Sequence, residues 1–363
     1  MNKTYRPTWA EINLDNLYHN YTEAQKELKH KTIIPVIKAN AYGHNAIEVM
    51  KFLYEKGVRI FAVSLLEEAI ELREVFDDIE ILMLGPIMAK DLHAAAQYKI
   101  SITIYNEEIY ESIKNLNEWI SCQLKVDSGM SRYGLTETNQ IVKMVEELEM
   151  LKHVSFKGIY THFATANDDL IFYNKQLDKF KAILKKISTK PPMIHVSNSS
   201  SIFKFEKKHK FTTHARLGIS LYGLSLDKEK PNLKPVMSLK STVVQIKKLH
   251  DGDCVGYGAT YCSKGDEHIA ILPIGYADGF SRKNKTGHVE INQKKYKIVG
   301  TICMDACFIK VDDQVKVGDV ATLFGGLISI DDVAARLNTI NYEVCTSVSY
   351  RVPRVMIQGG KDD

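Results

Sequence analysis

The chain has 363 residues, 45% hydrophobic and 25% charged, a balance that excludes an intrinsically disordered tail and suits a folded protein of about two domains. Its 48 basic and 44 acidic side chains leave a net charge of +4, too slight a surplus to point to nucleic acid. The opening MNKTYRPTWAEINLD lacks the apolar core of an export signal and no run nears the roughly eighteen apolar residues of a membrane span, so a cytoplasmic protein with no membrane contact is expected.

In chain order, an amphipathic helix in LDNLYHNYTEAQKELK comes first. From residue 32 to 223 one pattern then repeats: a short apolar, β-branched run, a turn, and a longer stretch with helical spacing. The predicted strands are 32–38, 59–64, 80–85, 101–105, 121–127, 154–163, 192–199 and 215–223. Between them, stretches such as AIEVMKFLYEKG, LLEEAIELREVF and TETNQIVKMVEELEM read as helices, most opened by Asp, Asn, Ser or Thr as an N-cap. Continuously apolar runs suit parallel strands covered by helices, so eight β/α units predict an α/β fold, a (β/α)8 TIM barrel. An open doubly wound sheet has the same grammar. The barrel is preferred because Lys38, Lys125, Arg132, His162 and Ser199 fall at or beyond predicted strand ends, where barrel sites collect. Arg216 is the exception, lying early in its strand as drawn.

After about Asp227 the pieces VMSLKSTVVQIKKLHDGDCVGYG, HIAILPIGY, GHVEINQKKYKIVGTI, ACFIKVDD and VATLFGG are β-rich and joined by Gly and Asp turns, with one helix in SIDDVAARLN. The expected division is a barrel over 10–225 and a mainly β domain over 226–363, with 1–9 returning to it. Six cysteines are spread thinly, the closest being Cys303 and Cys307 at C-x3-C. They read as free thiols of a reducing compartment, with no metal-binding spacing.

The usual signatures of nucleotide-phosphate loops, zinc proteases, α/β-hydrolases and dinucleotide folds are absent from the sequence. Lys38 ends an apolar strand in VIKANAYGHN. On spacing alone it reads as a lysine snorkelling to solvent; in a barrel mouth, desolvation would favour the neutral amine that forms Schiff bases. Asn198-Ser199 and Arg216 to Ile219 lie on strands seven and eight, whose following loops are the recurrent phosphate site of barrels. Gly218 there permits close approach of its own N–H and that of Ile219. Ordinary strand-to-helix turns are the other reading of both segments.

VIKANAYGHN is followed by LKVDSGMSRYG, YTHFATA, HVSNSS, ARLGISLYG, VGYGAT, LPIGYADGF, VGTICMD and SVSYRVPR. In that order these motifs resemble the alanine racemases, pyridoxal-phosphate enzymes built from a barrel followed by a β domain. Departures are small: Asn45 stands where Gly often follows the His, and HVSNSSS replaces a more alanine-rich string.

The resemblance implies interconversion of L- and D-alanine, supplying D-alanine for peptidoglycan through a pyridoxal 5'-phosphate Schiff base on Lys38. Racemisation needs a base on each face of the planar intermediate, since one base alone tends to return the proton to the side it left. The family pairs Lys38 with Tyr257, the latter reaching the site of a neighbouring chain in a homodimer with shared active sites. Without that match, Tyr257 on its Gly-flanked turn would read as a packing residue. The implied cofactor contacts are Lys38, Tyr42, Arg132, His162, Asn198, Ser199, Arg216, Gly218, Ile219 and Tyr350. Arg132 and the main-chain N–H of Met304 would bind the substrate carboxylate; Arg132 alone would read as an ion pair with Asp127.

Arg216 would face the pyridine nitrogen and, almost never accepting a proton, leave it unprotonated. His162 would bridge Arg216 and Tyr257. Lys125 is carbamylated in many relatives, which would let it hold Arg132. Tyr276 and Tyr350 match a narrow gate, and Cys303 and Cys307 read as packing. A related pyridoxal-phosphate decarboxylase would use an acidic partner at the ring nitrogen, against Arg216. A non-catalytic cofactor carrier would be a lone barrel, against the β domain.

Overall fold

Runs in which every side chain is apolar or small can be buried on both faces, and the chain uses them that way. In a computed structural model that describes residues 5–227 and 231–359, a first strand β1 (Thr8–Asn13) and a helix (Leu14–Leu28) precede eight parallel strands. These are β2 (Thr32–Pro35), β3 (Ile60–Val63), β4 (Glu80–Met83), β5 (Ser101–Ile104), β6 (Ile120–Lys125), β7 (Val154–Tyr160), β8 (Met193–His195) and β9 (His214–Leu217). They pair in the order β2-β9-β8-β7-β6-β5-β4-β3, and a parallel bridge from Val36 to Ala62 closes the ring. β3, β5 and β6 are buried at every position, between the barrel interior and the outer helices. The helix Glu107–Lys114 shows how the cover forms: Asn106 caps it, accepting from the Ile109 N–H, and Ile109, Tyr110 and Ile113 turn inward. Each such fully buried large side chain contributes roughly 1.5–3 kcal/mol of transfer free energy.

All eight predicted strands form, and each ends earlier than predicted. Gly218 ends the last, and Ile219–Tyr222 winds into a 3-10 turn. Arg216 is thereby the third of four residues in β9, at the C-terminal end with the rest of the site.

The second domain comprises β10 (Met237–Thr242), β11 (Gln245–Leu249), β12 (Cys254–Val255), β13 (Tyr261–Cys262), β14 (Glu267–Leu272), β15 (His288–Ile291), β16 (Lys294–Val299), β17 (Cys307–Val311), β18 (Val320–Phe324) and β19 (Arg354–Ile357). Nine strands form one sheet in the order β11-β14-β17-β16-β15-β18-β10-β1-β19. β1 therefore runs with this sheet, antiparallel to β10 and parallel to β19, so the N-terminal part that joins the β domain extends past residue 9 to Asn13. Its alternating buried and half-buried positions fit a strand with one face on the core. Residues 1–4, 228–230 and 360–363 of the expected second domain lie outside the described residues. A helix (Ile330–Leu337) forms in the expected place behind a Ser329 capping box, and a second, Asn341–Thr346, follows it.

The reading of all six cysteines as free thiols is corrected. Cys254 and Cys262 are disulfide-bonded across the two-stranded ribbon β12–β13, whereas Cys122, Cys303, Cys307 and Cys345 are free. Eight residues apart in sequence, the two look unrelated; the hairpin register sets them directly opposite. No helix among the described residues is long and apolar enough to cross a membrane.

Candidate active site

Past β2 the chain enters a left-handed turn. Ala39, Asn40, Ala41 and Tyr42 have φ between 51° and 54°, a conformation that costs roughly 1–2 kcal/mol per L-residue. Neighbours hold it: Glu68 Oε1 accepts from the Ala39 N–H at 2.6 Å, and Asn40 Oδ1 from the Ala46 N–H at 2.8 Å. Gly43, at φ 87°, completes the turn where a Cβ would lie 2.4 Å from the Cys345 carbonyl oxygen. The turn sets Lys38 and Tyr42 on the wall of one cavity of about 730 Å³ at the C-terminal mouth of the barrel. Burial, and then the charge of Arg132, lower the Lys38 pKa toward the neutral amine.

Arg216 is 3% exposed. Its Nη1 donates to His195 Nδ1 (2.5 Å) and His195 O (3.2 Å); its Nη2 donates to Thr161 O (2.8 Å), His162 Nδ1 (3.2 Å) and Val196 O (3.2 Å). These acceptors are all imidazole nitrogens or carbonyls. Both imidazoles accept at Nδ1, so each carries its proton on Nε2, and His195 Nε2 donates to Gln123 Oε1 at 2.6 Å. Burial, followed by the Arg216 charge, pushes both histidines well below their ordinary pKa. Burial brings Arg216 itself down to about 10. His195 stacks on Tyr160 with centroids 4.7 Å apart, fixing the edge that meets the guanidinium.

Lys125, the last residue of β6, has its Nζ 5.2 Å from the centroid of the Tyr160 ring. Burial first, then Arg216 and Arg132, bring its pKa down to about 7. The following loop is closed by Asp127 N–H to Leu135 O (2.9 Å) and Leu135 N–H to Lys125 O (3.0 Å). Asp127 accepts from the Gly129 and Ser131 amides rather than pairing with Arg132, which lines the cavity. Lys38, Lys125, Arg132 and Arg216 thus surround one space, a field suited to anionic groups.

At the other end, Tyr42, Asn198, Ser199, Gly218 and Ile219 line the cavity. Ser199 Oγ accepts from the Gly218 (3.1 Å) and Ser220 (3.2 Å) amides. A Cβ on Gly218 would lie 3.1 Å from Tyr42 Oη and 3.6 Å from Ser199 Oγ, so its missing side chain leaves a cradle between two hydroxyls. The lysine at one wall, the hydroxyl-lined cradle and the guanidinium fit pyridoxal phosphate.

Tyr350, expected beside the phosphate, does not line this cavity. Two similar strings, NYEV and SYRV, lie eight residues apart. The helix Asn341–Thr346 turns the first inward, so that Tyr342 lines the cavity 6.1 Å from the Tyr42 ring. Tyr350, in the turn beyond, is 95% exposed. Sequence reasoning also missed His195 and Tyr160; their signal was parity, since polar and aromatic residues on apolar strands mark the barrel interior.

Tyr257 (74% exposed), Met304 (52%) and Tyr276 (42%) lie on the second domain and do not line this cavity. Tyr276 and Met304 share one pinned turn: the Tyr276 N–H donates to Cys303 O and the Ala277 N–H to Met304 O, both at 3.1 Å. Arg351 ties Asp305 to the Tyr350 segment at 2.6 Å. One chain therefore gathers the barrel residues and presents Tyr257 and Met304 outward.

Two family models match: "Alanine racemase, N-terminal domain" over residues 12–226 and "Alanine racemase, C-terminal domain" over residues 236–356. The chain is 38% identical to the alanine racemase of Geobacillus stearothermophilus, covering 99% of this chain and 95% of that protein. It superposes on the alanine racemase of Clostridium difficile 630 with a TM-score of 0.92 at 38% identity, covering 98% of this chain and 97% of that one. Against the Bacillus anthracis alanine racemase crystallised with bound L-Ala-P, the TM-score is 0.91 at 34% identity, covering 99% and 97%.

Proposed function

The chain belongs to the alanine racemase family across both of its domains, and on that premise we propose an active site completed by two copies of it. The activity is the isomerisation of alanine between its L and D forms. Family membership implies pyridoxal 5'-phosphate, which when bound supplies an electron sink for the electron pair left at Cα.

The chain's own residues take the remaining tasks. Lys38 anchors the cofactor and, with its amine biased to the neutral form, takes or returns the α-proton at Nζ on one face. Tyr257 of the partner subunit does so at Oη on the other. Arg132 binds the substrate carboxylate, aided by the main-chain N–H of Met304 of the partner subunit. Tyr42, Asn198, Ser199, Gly218, Ile219 and Tyr342 grip the phosphate. Arg216 would meet the ring nitrogen; already donating to five neutral acceptors, it offers no acceptor that would stabilise a protonated ring. The product serves peptidoglycan synthesis in the cytoplasm.

The observation that carries this reading is the division of the groups. Lys38 and Arg216 share one barrel cavity, while Tyr257 stands exposed on the β domain of the same chain. Complementation tests it. Lys38→Ala and Tyr257→Phe chains, each inactive for racemisation, are mixed under conditions that exchange subunits. In a shared-site dimer, one of the two mixed sites holds both intact bases and activity returns; no recovery despite confirmed mixed dimers would refute the shared site. In solvent deuterium, Tyr257→Phe should slow α-proton exchange from one enantiomer far more than from the other.

A further inference from the structure

The five-residue loop Gly256–Thr260 that carries Tyr257 is joined to the domain by an unusually short ladder. β12 and β13 pair through Cys254 with Cys262 and Val255 with Tyr261, the Gly252 N–H to Ser263 O (3.0 Å) and Ser263 N–H to Asp253 O (2.8 Å) bonds extend the ribbon at its base, and the ribbon lies outside the nine-stranded sheet. An isolated two-stranded ribbon is at best marginally stable in water. Three loop residues also require positive φ: Gly256 (70°), Gly258 (73°) and Ala259 (47°).

On the body side, Tyr261 packs with Val255 against Leu249, Ile269 and Val299 and donates its hydroxyl to Glu267; the anchors nearer the loop are fewer. Val255 is buried, Thr260 Oγ1 meets Thr301 Oγ1 at 3.1 Å, and the Phe308 ring fills the space where Gly256 would carry a Cβ. Tyr257 itself is 74% exposed on its own chain, so its own domain does not pack its side chain and the backbone of the ribbon sets the direction in which it leaves that domain. At the base of that ribbon Cys254 and Cys262 face each other with Cα atoms 4.0 Å apart and are bonded. Both are exposed, whereas Cys122, Cys307 and Cys345 are buried.

We propose that the Cys254–Cys262 pair is a reversible redox clamp that positions Tyr257, so that small-molecule thiols and disulfides set the rate of proton transfer on the tyrosine face. The proposal rests on the reading of Tyr257 as a base. In the closing direction, one cysteine thiolate attacks a small-molecule disulfide, forming a mixed disulfide and releasing one thiolate. The second cysteine thiolate then attacks the protein sulfur of that mixed disulfide and releases the other. Two cysteine thiols are oxidised to one disulfide and one small-molecule disulfide is reduced to two thiols; a small-molecule thiol reverses both steps. Opening the bond returns conformational freedom to the loop, and Tyr257 then spends less time in its working position. Lys38, held in the barrel by the left-handed turn, keeps its place.

The holoenzyme is equilibrated in buffers of oxidised and reduced glutathione, alkylated and digested, and parallel samples are assayed for α-proton exchange of each alanine enantiomer in solvent deuterium. The expected result is a Cys254–Cys262 cross-linked peptide in the oxidised sample only. Reduction should lower exchange on the Tyr257 face about tenfold, with a much smaller change on the Lys38 face. Cys254→Ser with Cys262→Ser should behave like the reduced enzyme in both buffers. Absence of the cross-linked peptide, or a bond whose reduction leaves the ratio of the two exchange rates unchanged, overturns the proposal. A Tyr257→Phe arm separates the two readings. Symmetric exchange there overturns the base reading and the clamp with it, while asymmetric exchange there with a redox-insensitive wild type overturns the clamp alone.

Discussion

His44 lies immediately beyond the left-handed turn and is 0% exposed. Its Nδ1 is 2.9 Å from Ala41 O and 3.0 Å from Tyr42 O, so the proton sits on Nδ1 and is shared between two carbonyls of the turn. Nε2 has no partner among the described residues, and the ring lies against Tyr222 at 4.5 Å. A second proton would leave a buried N–H unmatched, near the Arg354 charge. Burial accordingly brings the His44 pKa down to about 4 from an ordinary 6.5.

Because the folded pKa is depressed, the native state binds fewer protons than the unfolded chain between those values. The stabilisation is complete above about pH 6.5 and is lost as pH falls toward 4. Integrated from about pH 7 to about pH 4.5, this linkage amounts to about 2.5 kcal/mol. His44→Asn keeps an N–H donor and removes the titration. Urea unfolding of both proteins at the two pH values checks it: the wild type should lose about 2.5 kcal/mol more than the variant on acidification. His162 and His195 also resist protonation, but they are common to both proteins and cancel in the difference. Equal losses would show that His44 takes up its second proton as readily in the fold as in the unfolded chain.

Gly218→Ala places a methyl 3.1 Å from Tyr42 Oη. Affinity for pyridoxal phosphate, measured by fluorescence quenching, should fall about tenfold; unchanged affinity would remove Gly218 from the cradle. Lys125, with a pKa of about 7, carries much of its amine in the neutral form that adds carbon dioxide, and the carbamate would bind Arg132 as an anion. Enzyme equilibrated with 13C-bicarbonate should show a carbamate carbon resonance that Lys125→Ala lacks. That variant should raise KM for alanine by more than it lowers kcat; a resonance surviving the substitution would place the carbamate elsewhere.

Much of this architecture could be read in the chain because strands and helices leave periodic traces. Eight apolar runs and their helices announced the barrel, and the change to Gly- and Asp-joined pieces after residue 227 announced the β domain. What escaped reading is what periodicity does not encode. KANAY looks like the start of a helix or the end of a strand, yet the surrounding Glu68, Asn40 and Gly43 contacts hold it left-handed. NYEV and SYRV are equivalent as strings; only the helix packed against the barrel mouth separates a cavity tyrosine from an exposed one. The disulfide escaped for the same reason, since an eight-residue spacing says nothing until strand register sets the two cysteines opposite.

The position of Tyr342 changes what the β domain does. Taken from motifs, that domain serves the partner's site through Tyr257 and Met304. It also completes its own chain's site: Tyr342 lines the barrel cavity, Arg354 Nε donates to Gly43 O at 2.8 Å, and Gly43 owes its fit to the Cys345 carbonyl. The turn that presents Lys38 is thus braced by the same domain that presents Tyr257 outward. The segment bearing Tyr350 is tied in as well, since the Ser349 N–H donates to Asp278 O at 3.0 Å and Asp278 is held by Arg6 at 2.5 and 2.6 Å. If the active site is shared as proposed, the strained lysine turn of one site and the tyrosine ribbon of the other hang from one folded unit. On that reading, a shift of the β domain against the barrel would disturb Lys38 and Tyr257 together, because the Arg354–Gly43 bond and the Gly43–Cys345 contact brace the lysine turn from the domain that carries the tyrosine.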